Sequence, residues 1–457
     1  MNEIKKMNGL QKYSVLDRIT IELDIKSNPF CFDTDQLFSL AARINPKRSF
    51  LFVSKILGKH LPVKPEIPLL TGHLLAMAYM SQVHGITNEY MEKIASSIKS
   101  GANLPEALKN VRNNPIKPLK PAAVIGFAET ATALGHAFFM TFKDDLTFIH
   151  TTREEINELH SIIDFEEEHS HATSHRMYGE EAIFRSDDEV ILVDDEITTG
   201  KTALNIIRTI HQNYPWKKVF SVVSILDWRN EEHQQAFRNV EQELGITIHE
   251  VSLLGGTVGA KGSISFTDEP SISITSQPAN VSWYPLNFKG DKKKVTSLNG
   301  KRQIMKAPYL KHTGRFGLAI HEAAAFEKDL MDIGLELKHS RQSKYTRVIG
   351  TGEFMYVPMR IASYMGDGIT FQSTTRSPIY PSESEDYCIR QKYSFSSPEN
   401  PGIQNYLYQI EPGECEEIFV IAERTFSRDS MQELINELSK SAASSIKIIV
   451  INQMDEE

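Results

Sequence analysis

The sequence predicts an α/β protein built on two sheets, and three observations carry that expectation. Between residues 121 and 254, short apolar runs alternate with amphipathic stretches of helical length, the pattern of strand-helix units around a parallel sheet. A second alternating region occupies the chain beyond residue 300. The segment between them, residues 255–300, is rich in Ser, Gly and Lys and includes GDKKK, which marks a boundary near residues 288–300. The expected organisation is a first domain over residues 1–288 and a second α/β domain over residues 300–457.

Taken in order, the first 120 residues are mixed in character and end in NNPIKPLKP, whose prolines read as a connector rather than a helix. The first sheet draws its expected strands from AAVIGF, LTFIH, VILVDD, FSVVSIL and ITIHEVSLL. Helices fit residues 130–140, 201–213 and 230–244, each flanked by turn or cap signals. The late region begins with TRVIG before GEFMYVPMRIASYMG, followed by ITFQS, EIFVIAE and IKIIVI. A faint internal echo joins the two: VIGFAETATALGHA matches VIGTGEFMYVPMRIA in kind, as VILVDDEITTGKTA does IFVIAERTFSRDSM. Either a degenerate duplication or simple convergence of strand-loop-helix units accounts for it.

Composition excludes several classes. A chain of 457 residues is too long for one ordinary core, since domains run to roughly 100–200 residues. With 40% hydrophobic and 24% charged residues it is neither disordered nor fibrous. A formal charge of -9 argues against general binding to a nucleic-acid backbone. Cys31, Cys388 and Cys415 are scattered and odd in number, so neither a disulfide framework nor a CxxC metal site is indicated. The N-terminal MNEIKKMNGLQKYS lacks an apolar core, and the longest apolar stretch, residues 124–142, is broken by Glu129, Thr130, Thr132 and His136. The expectation is a soluble cytoplasmic protein without a membrane segment.

The chemistry concentrates after residue 190. The run VILV is β-branched and leucine-rich, as a strand buried on both faces requires. Asp194 and Asp195 follow it at the carboxyl end, where open α/β sheets bind ligands and carboxylates accept hydrogen bonds from vicinal hydroxyls. Thr198, Thr199, Gly200, Lys201 and Thr202 then lead into the helical run ALNIIRTI. Such a turn presents backbone N–H groups, hydroxyls and a helix N-terminus to a phosphate. The rival P-loop motif GxxxxGK[ST] fails, because its first glycine would fall on Asp195.

VILVDDEITTGKT closely resembles the 5-phosphoribosyl-1-pyrophosphate signature of type I phosphoribosyltransferases. The runs GFAETATALG, NPKRSFLFVSKILGKH, FEEEHSHATSH, GTGEFMYVP and QSTTRSP further resemble a bacterial two-domain family. That family joins a phosphoribosyltransferase-like domain, with an N-terminal hood, to a C-terminal domain named for its Thr-Arg-Ser-Pro motif. Its members tend to accompany tellurite-resistance and stress-response genes, where synthesis of a nucleoside-like metabolite has been proposed.

The resemblance implies a magnesium-dependent pentosyltransferase of nucleotide metabolism, acting on 5-phosphoribosyl-1-pyrophosphate and a base-like acceptor. Asp194 and Asp195 would grip the ribose and touch magnesium through ribose or water, and residues 198–202 would hold the 5-phosphate. Ala128, Glu129, Thr130 and Ala131 would form the pyrophosphate loop. Glu129 is awkward there: it acts through magnesium, meets a basic neighbour, or caps the helix. Arg153 and Arg176 are the candidate catalytic cations, since the lid segment 166–176 offers His169, His171, His175 and Arg176 instead of the usual lysine. Zinc binding by those histidines and a merely polar lid are the competing readings. The basic residues of 45–48 and 55–60 are placed either in a hood over the acceptor or on a solvated turn. Gly350-Thr351-Gly352-Glu353 and Arg376 are candidates for a second ligand or a structural ion pair. Expected partners are small molecules, with neither nucleic acid nor membrane, and a homodimer is allowed. A non-catalytic sensor that reports the ligand through the C-terminal domain is the alternative, and a hydrolase or ligase activity in that domain a third.

Overall fold

The computed structural model describes residues 9–44, 49–166, 174–264, 279–286, 288, 290–411 and 414–452. The chain opens with an antiparallel pair, β1 (Gly9–Val15) and β2 (Ile19–Ser27). In β2 the odd positions Ile19, Ile21, Leu23 and Ile25 are buried and the even ones point outward, the period of a half-covered strand. A hairpin follows, β3 (Phe38–Ala42) and β4 (Phe50–Ser54). It packs Phe38 and Phe52 on Trp228, the latter ring stacked at 4.9 Å. Helix α1 (Glu66–His84) is buried along most of its length.

The nucleus of the first sheet comes next. It runs through β5 (Ala122–Gly126), α2 (Ala131–Phe139), β6 (Leu146–His150), β7 (Ile163–Glu166) and β8 (Ser174–Met177). It continues with β9 (Glu189–Ile197), α3 (Lys201–Asn213), β10 (Val219–Asp227), α4 (Glu231–Leu244) and β11 (Thr247–Lys261). In α3 the buried residues Ala203, Leu204, Ile206, Ile207 and Ile210 form one stripe against the sheet. The side chain of Asn230 accepts from the His233 N–H and starts α4.

The late region supplies β12 (Asn280–Trp283), β13 (Leu318–Ala319), α5 (Ile320–Ser340), β14 (Thr346–Gly350), α6 (Tyr356–Ala362) and β15 (Ile369–Ser373). The hairpin β16 (Lys392–Ser396) and β17 (Gln404–Tyr408) precedes β18 (Glu417–Arg424), α7 (Gln432–Leu438) and β19 (Ser445–Asn452).

The first sheet has the order β1-β2-β11-β10-β9-β5-β6-β13. Its five central strands, β11 to β6, are parallel, and β2 and β13 flank them antiparallel. The chain makes β5, steps to one side for β6 and returns to the other for β9, so the topological switch lies between β5 and β9. The second sheet, β12-β19-β18-β14-β15, is wholly parallel. Its order β15-β14-β18-β19 repeats β6-β5-β9-β10, so the internal echo of the sequence has a topological counterpart.

Strands cross the 288–300 segment in both directions. β12 lies before it and joins the second sheet, whereas β13 lies after it and pairs with β6 of the first. One hydrophobic core accordingly contains Val193 and Phe148 of the first sheet together with Val348 and Phe371 of the second. No helix among the described residues is long and apolar enough to cross a membrane.

Candidate functional site

The switch point brings two loops together, because Val193 of β9 pairs with Gly126 of β5 and its carbonyl accepts from the Phe127 N–H at 3.2 Å. Beyond Val193 the side chains change from fully buried to half-buried at Asp194, Asp195 and Glu196. Asp194 Oδ1 accepts from the Asp195 N–H at 2.9 Å, and Thr198 Oγ1 donates to Glu196 Oε1 at 3.1 Å. The turn closes when Lys201 N–H donates to Thr199 Oγ1 at 3.3 Å. Gly200 holds φ +75, and a β-carbon there would strike the Phe237 ring. Only glycine satisfies both conditions, so Thr198, Thr199, Gly200, Lys201 and Thr202 are held as a tight turn on the N-terminus of α3.

The loop after β5 runs Phe127-Ala128-Glu129-Thr130, with the small Ala128 beside a buried acid. Ala128 N–H donates to Thr151 Oγ1 at 2.8 Å, and the Ala128–Glu129 peptide is cis. Thr130 and Ala131 lead into α2, which starts beyond the carboxyl end of β5 as α3 starts beyond that of the neighbouring parallel strand β9. Glu129 is buried and forms an ion pair with Lys59. Burial alone would raise its carboxyl, but Lys59, Arg376 and Arg153 outweigh burial and hold it below the ordinary range. Of the three roles open to Glu129 in the sequence, the side-chain geometry is that of an acid with a basic neighbour. The same Lys59 ammonium donates to the carbonyl of Gly352 at 2.9 Å, across to the late region. Burial pulls this ammonium below its usual value and Glu129 opposes that pull.

Arg153 lies at the end of β6 in the run His150-Thr151-Thr152-Arg153. Its Nε donates to His175 Nε2 at 3.3 Å, and His175 is in turn hydrogen-bonded to Thr151 Oγ1 at 3.1 Å. Arg176 is not in this cluster. Its backbone pairs with Thr152, and its Nε lies 3.9 Å from Asp164 Oδ1. Residues 167–173, which carry most of the lid and zinc readings, and residues 45–48 of the hood reading lie outside the described residues. Lys55 donates to the carbonyl of Asp35 at 2.8 Å, while burial pushes the His60 imidazole down to about 3.

Sequence reasoning missed a polar centre shared with the late region. The Glu353 carboxylate accepts from Thr152 Oγ1 at 2.6 Å and from the Arg153 N–H at 3.0 Å, and Arg315 approaches it at 3.4 Å. Thr132, in the first turn of α2, donates to the Glu353 carbonyl at 3.1 Å. Glu154 pairs with Arg424; burial works against its ionisation, but Arg424 and Arg315 hold it well below the carboxylate range. The available signal was the repeated run Thr-Thr-Arg at 151–153 and 374–376.

Residues 37–257 match the family described as Phosphoribosyl transferase, and residues 312–438 match the TRSP domain described as C-terminal to it. No curated protein matches the chain. Among solved structures, adenine phosphoribosyl transferase from Trypanosoma brucei, in complex with AMP, pyrophosphate and ribose-5-phosphate, is 15% identical with a TM-score of 0.23. The match covers 32% of this chain and 65% of that one, so the chain spans less than two thirds of its length. The Giardia lamblia enzyme complexed with 9-deazaadenine is 16% identical, TM-score 0.23, over 35% of this chain and 83% of that one. Orotate phosphoribosyltransferase from Mycobacterium tuberculosis H37Rv, in complex with 5-phospho-alpha-D-ribosyl 1-diphosphate, is 13% identical, TM-score 0.17, over 42% and 91%.

Proposed function

Because the chain joins a domain of the phosphoribosyl transferase family to a TRSP domain, we propose that it transfers a 5-phosphoribosyl group from 5-phosphoribosyl-1-pyrophosphate to a nitrogenous, base-like acceptor, or runs the reverse step, in which pyrophosphate displaces the base. The observation that carries this reading is the pairing of two anion-receptive loops at one switch point. One has an acidic pair and a glycine turn on α3; the other has Ala128, Thr130 and Ala131 on α2, with the charge of Glu129 matched by Lys59.

In this reading Asp194 and Asp195 accept hydrogen bonds from the ribose hydroxyls and fix the sugar. The backbone and hydroxyls of Thr198 to Thr202 hold the 5-phosphate, and Ala128 to Ala131 receive the pyrophosphate beside Arg153. The anomeric C–O bond to pyrophosphate breaks, a C–N bond to the acceptor forms, and the acceptor nitrogen's proton passes to water. Most of the acceleration comes from positioning and from stabilising the departing charge.

Magnesium fits this donor set. Among the described residues no three acidic, histidine or cysteine side chains converge into a self-sufficient cage, and magnesium commonly binds through one or two carboxylates together with substrate phosphates. Asp194 and Asp195 would hold it with the ligand, and what it supplies when bound is neutralisation of pyrophosphate charge. Synthesis of a nucleoside-like metabolite under stress is the physiological role this reading carries, through the family resemblance.

The test is magnesium-dependent pyrophosphate release from 5-phosphoribosyl-1-pyrophosphate across a panel of bases. Turnover supports transfer, whereas tight binding without turnover makes the protein a sensor. Replacing both acids, Asp194→Asn with Asp195→Asn, is expected to weaken binding of the sugar phosphate by about 10–100-fold, from two charge-assisted hydrogen bonds. Unchanged affinity in that variant overturns the assignment.

A further inference from the structure

The pyrophosphate end of the site has a neighbour that the first domain does not encode. β14 and β15 hold the places in the second sheet that β5 and β6 hold in the first. Aligned on that topology, VIGFAE at 124–129 meets VIGTGE at 348–353, and LTFIHTTR at 146–153 meets ITFQSTTR at 369–376. Glu353 is therefore the counterpart of Glu129, and Arg376 the counterpart of Arg153.

One of these counterparts reaches across to the other half. Glu353 of the second half binds Thr152 and the Arg153 N–H of the first. A second contact sets the end of β15 against the segment that carries Lys59. Ser373 N–H donates to the Gly58 carbonyl at 2.9 Å, and the Gln372 amide donates to the His60 carbonyl at 2.8 Å. Lys59, between them, is paired with Glu129. Gly352 N–H donates to Thr374 Oγ1 at 2.9 Å, which fixes the strand end in turn. The strand ends of the two sheets thus meet in one polar cluster, and Arg376 follows directly on the end of β15 that takes part in it.

Among the arginines near that cluster Arg376 has a distinctive status. Arg153, Arg315 and Arg424 are engaged by His175, by Glu353 and Glu423, and by Glu154. Arg376 is half-buried, and its guanidinium has no hydrogen bond or ion pair with any described residue. Its charge nevertheless reaches Glu129 and Glu154, both of the first half. A guanidinium suits the planar, two-pronged recognition of a phosphate.

We propose that Arg376 binds the pyrophosphate group at the loop of residues 128–131, so that the transfer site is completed by the TRSP domain. This rests on the phosphoribosyl transfer reading above, and it assigns the Thr-Arg-Ser-Pro motif a ligand contact in place of a structural one. The arrangement also explains how a pyrophosphate loop tolerates an acid: Lys59 neutralises Glu129 from within, and Arg376 adds a cation on the ligand side.

The experiment titrates the full chain, in magnesium, with inorganic pyrophosphate, ribose 5-phosphate and 5-phosphoribosyl-1-pyrophosphate, using wild type, Arg376→Ala and Arg376→Lys. Arg376→Ala is expected to weaken both pyrophosphate-bearing ligands by about tenfold or more, the scale of a lost charged hydrogen bond. Ribose 5-phosphate, which reports the α3 turn alone, should bind as in wild type, and Arg376→Lys should fall between because a point charge replaces the fork. Unchanged pyrophosphate affinity in Arg376→Ala, with ribose 5-phosphate still bound, overturns this proposal and leaves the transferase reading standing. Equal loss of all three ligands with a lowered melting temperature also overturns it, since it marks a structural role. A wild-type chain that binds none of the three removes the transferase reading itself, and this proposal with it.

Discussion

At the scale of single residues, the Lys59–Glu129 pair is the strongest constraint on the site, because both charges are withdrawn from water. Removing one partner strands the other, which costs about 3–5 kcal/mol, whereas removing both is far milder. Lys59→Met is therefore expected to lower the stability measured by denaturant melting by that amount, and Lys59→Met with Glu129→Gln to recover most of it. Equal destabilisation in the single and double variants would show that the pair is not what holds Lys59 in place. Much of the α3 turn was legible in sequence, since Asp194, Asp195 and Thr198 to Thr202 are contiguous and each residue type has a local reason to be there. Lys59 was not. It belongs to a basic run that reads equally well as a hood or a solvated turn, and its partner Glu129 lies in a different element with no periodicity linking the two. Arg376 was legible as a strand-end cation, but not the acids Glu129 and Glu154 that its charge reaches, which depend on how the two sheets meet.

At the scale of elements, α2 carries the loop of residues 128–131 and is packed on every side. Its Gly135 sits so close to β5 that an added β-carbon would lie 2.9 Å from Gly126 Cα. On its other side α1 approaches through Gly72, where a β-carbon would lie 2.5 Å from Ala137 Cβ and 2.8 Å from Phe138 N. The obstacle is partly backbone, so the helices must separate. Gly72→Ala is expected to destabilise the fold by about 1–3 kcal/mol through overpacking. Because α2 moves while α3 does not, pyrophosphate affinity should fall and ribose 5-phosphate affinity hold; calorimetric titration of both ligands checks this, and a parallel loss would refute it. Strand prediction succeeded where burial is two-sided, since AAVIG and EVILV read as unbroken apolar runs. It passed over β2, although ITIELDI alternates with period two, because the surrounding 120 residues have no repeating pattern to place it in. β13 is two residues long and defined only by its pairing with β6, so no local signal exists for it.

At the scale of the whole molecule, the two sheets are bound together more tightly than their sequence boundary suggests. Cutting after residue 288 removes β13 from the edge of the first sheet and leaves β12 without the sheet it pairs with. It also strips Thr152 and the Arg153 N–H of Glu353, Lys59 of the Gly352 carbonyl, and Glu154 of Arg424. The stacked pair His136 and Tyr356, 3.6 Å apart, would open an apolar face of α2 to water. Each lost partner belongs to a buried polar group, for which the desolvation penalty is then uncompensated at about 1–3 kcal/mol apiece. Such a sum is comparable to the whole stability of an ordinary domain. A fragment of residues 1–288 is therefore expected to melt without a cooperative transition and to bind a hydrophobic dye, whereas the full chain unfolds with both halves in one transition. Cooperative melting of the fragment near the temperature of the full chain would show that the first sheet stands alone. Full retention of pyrophosphate affinity by that fragment would place the entire site in the first domain.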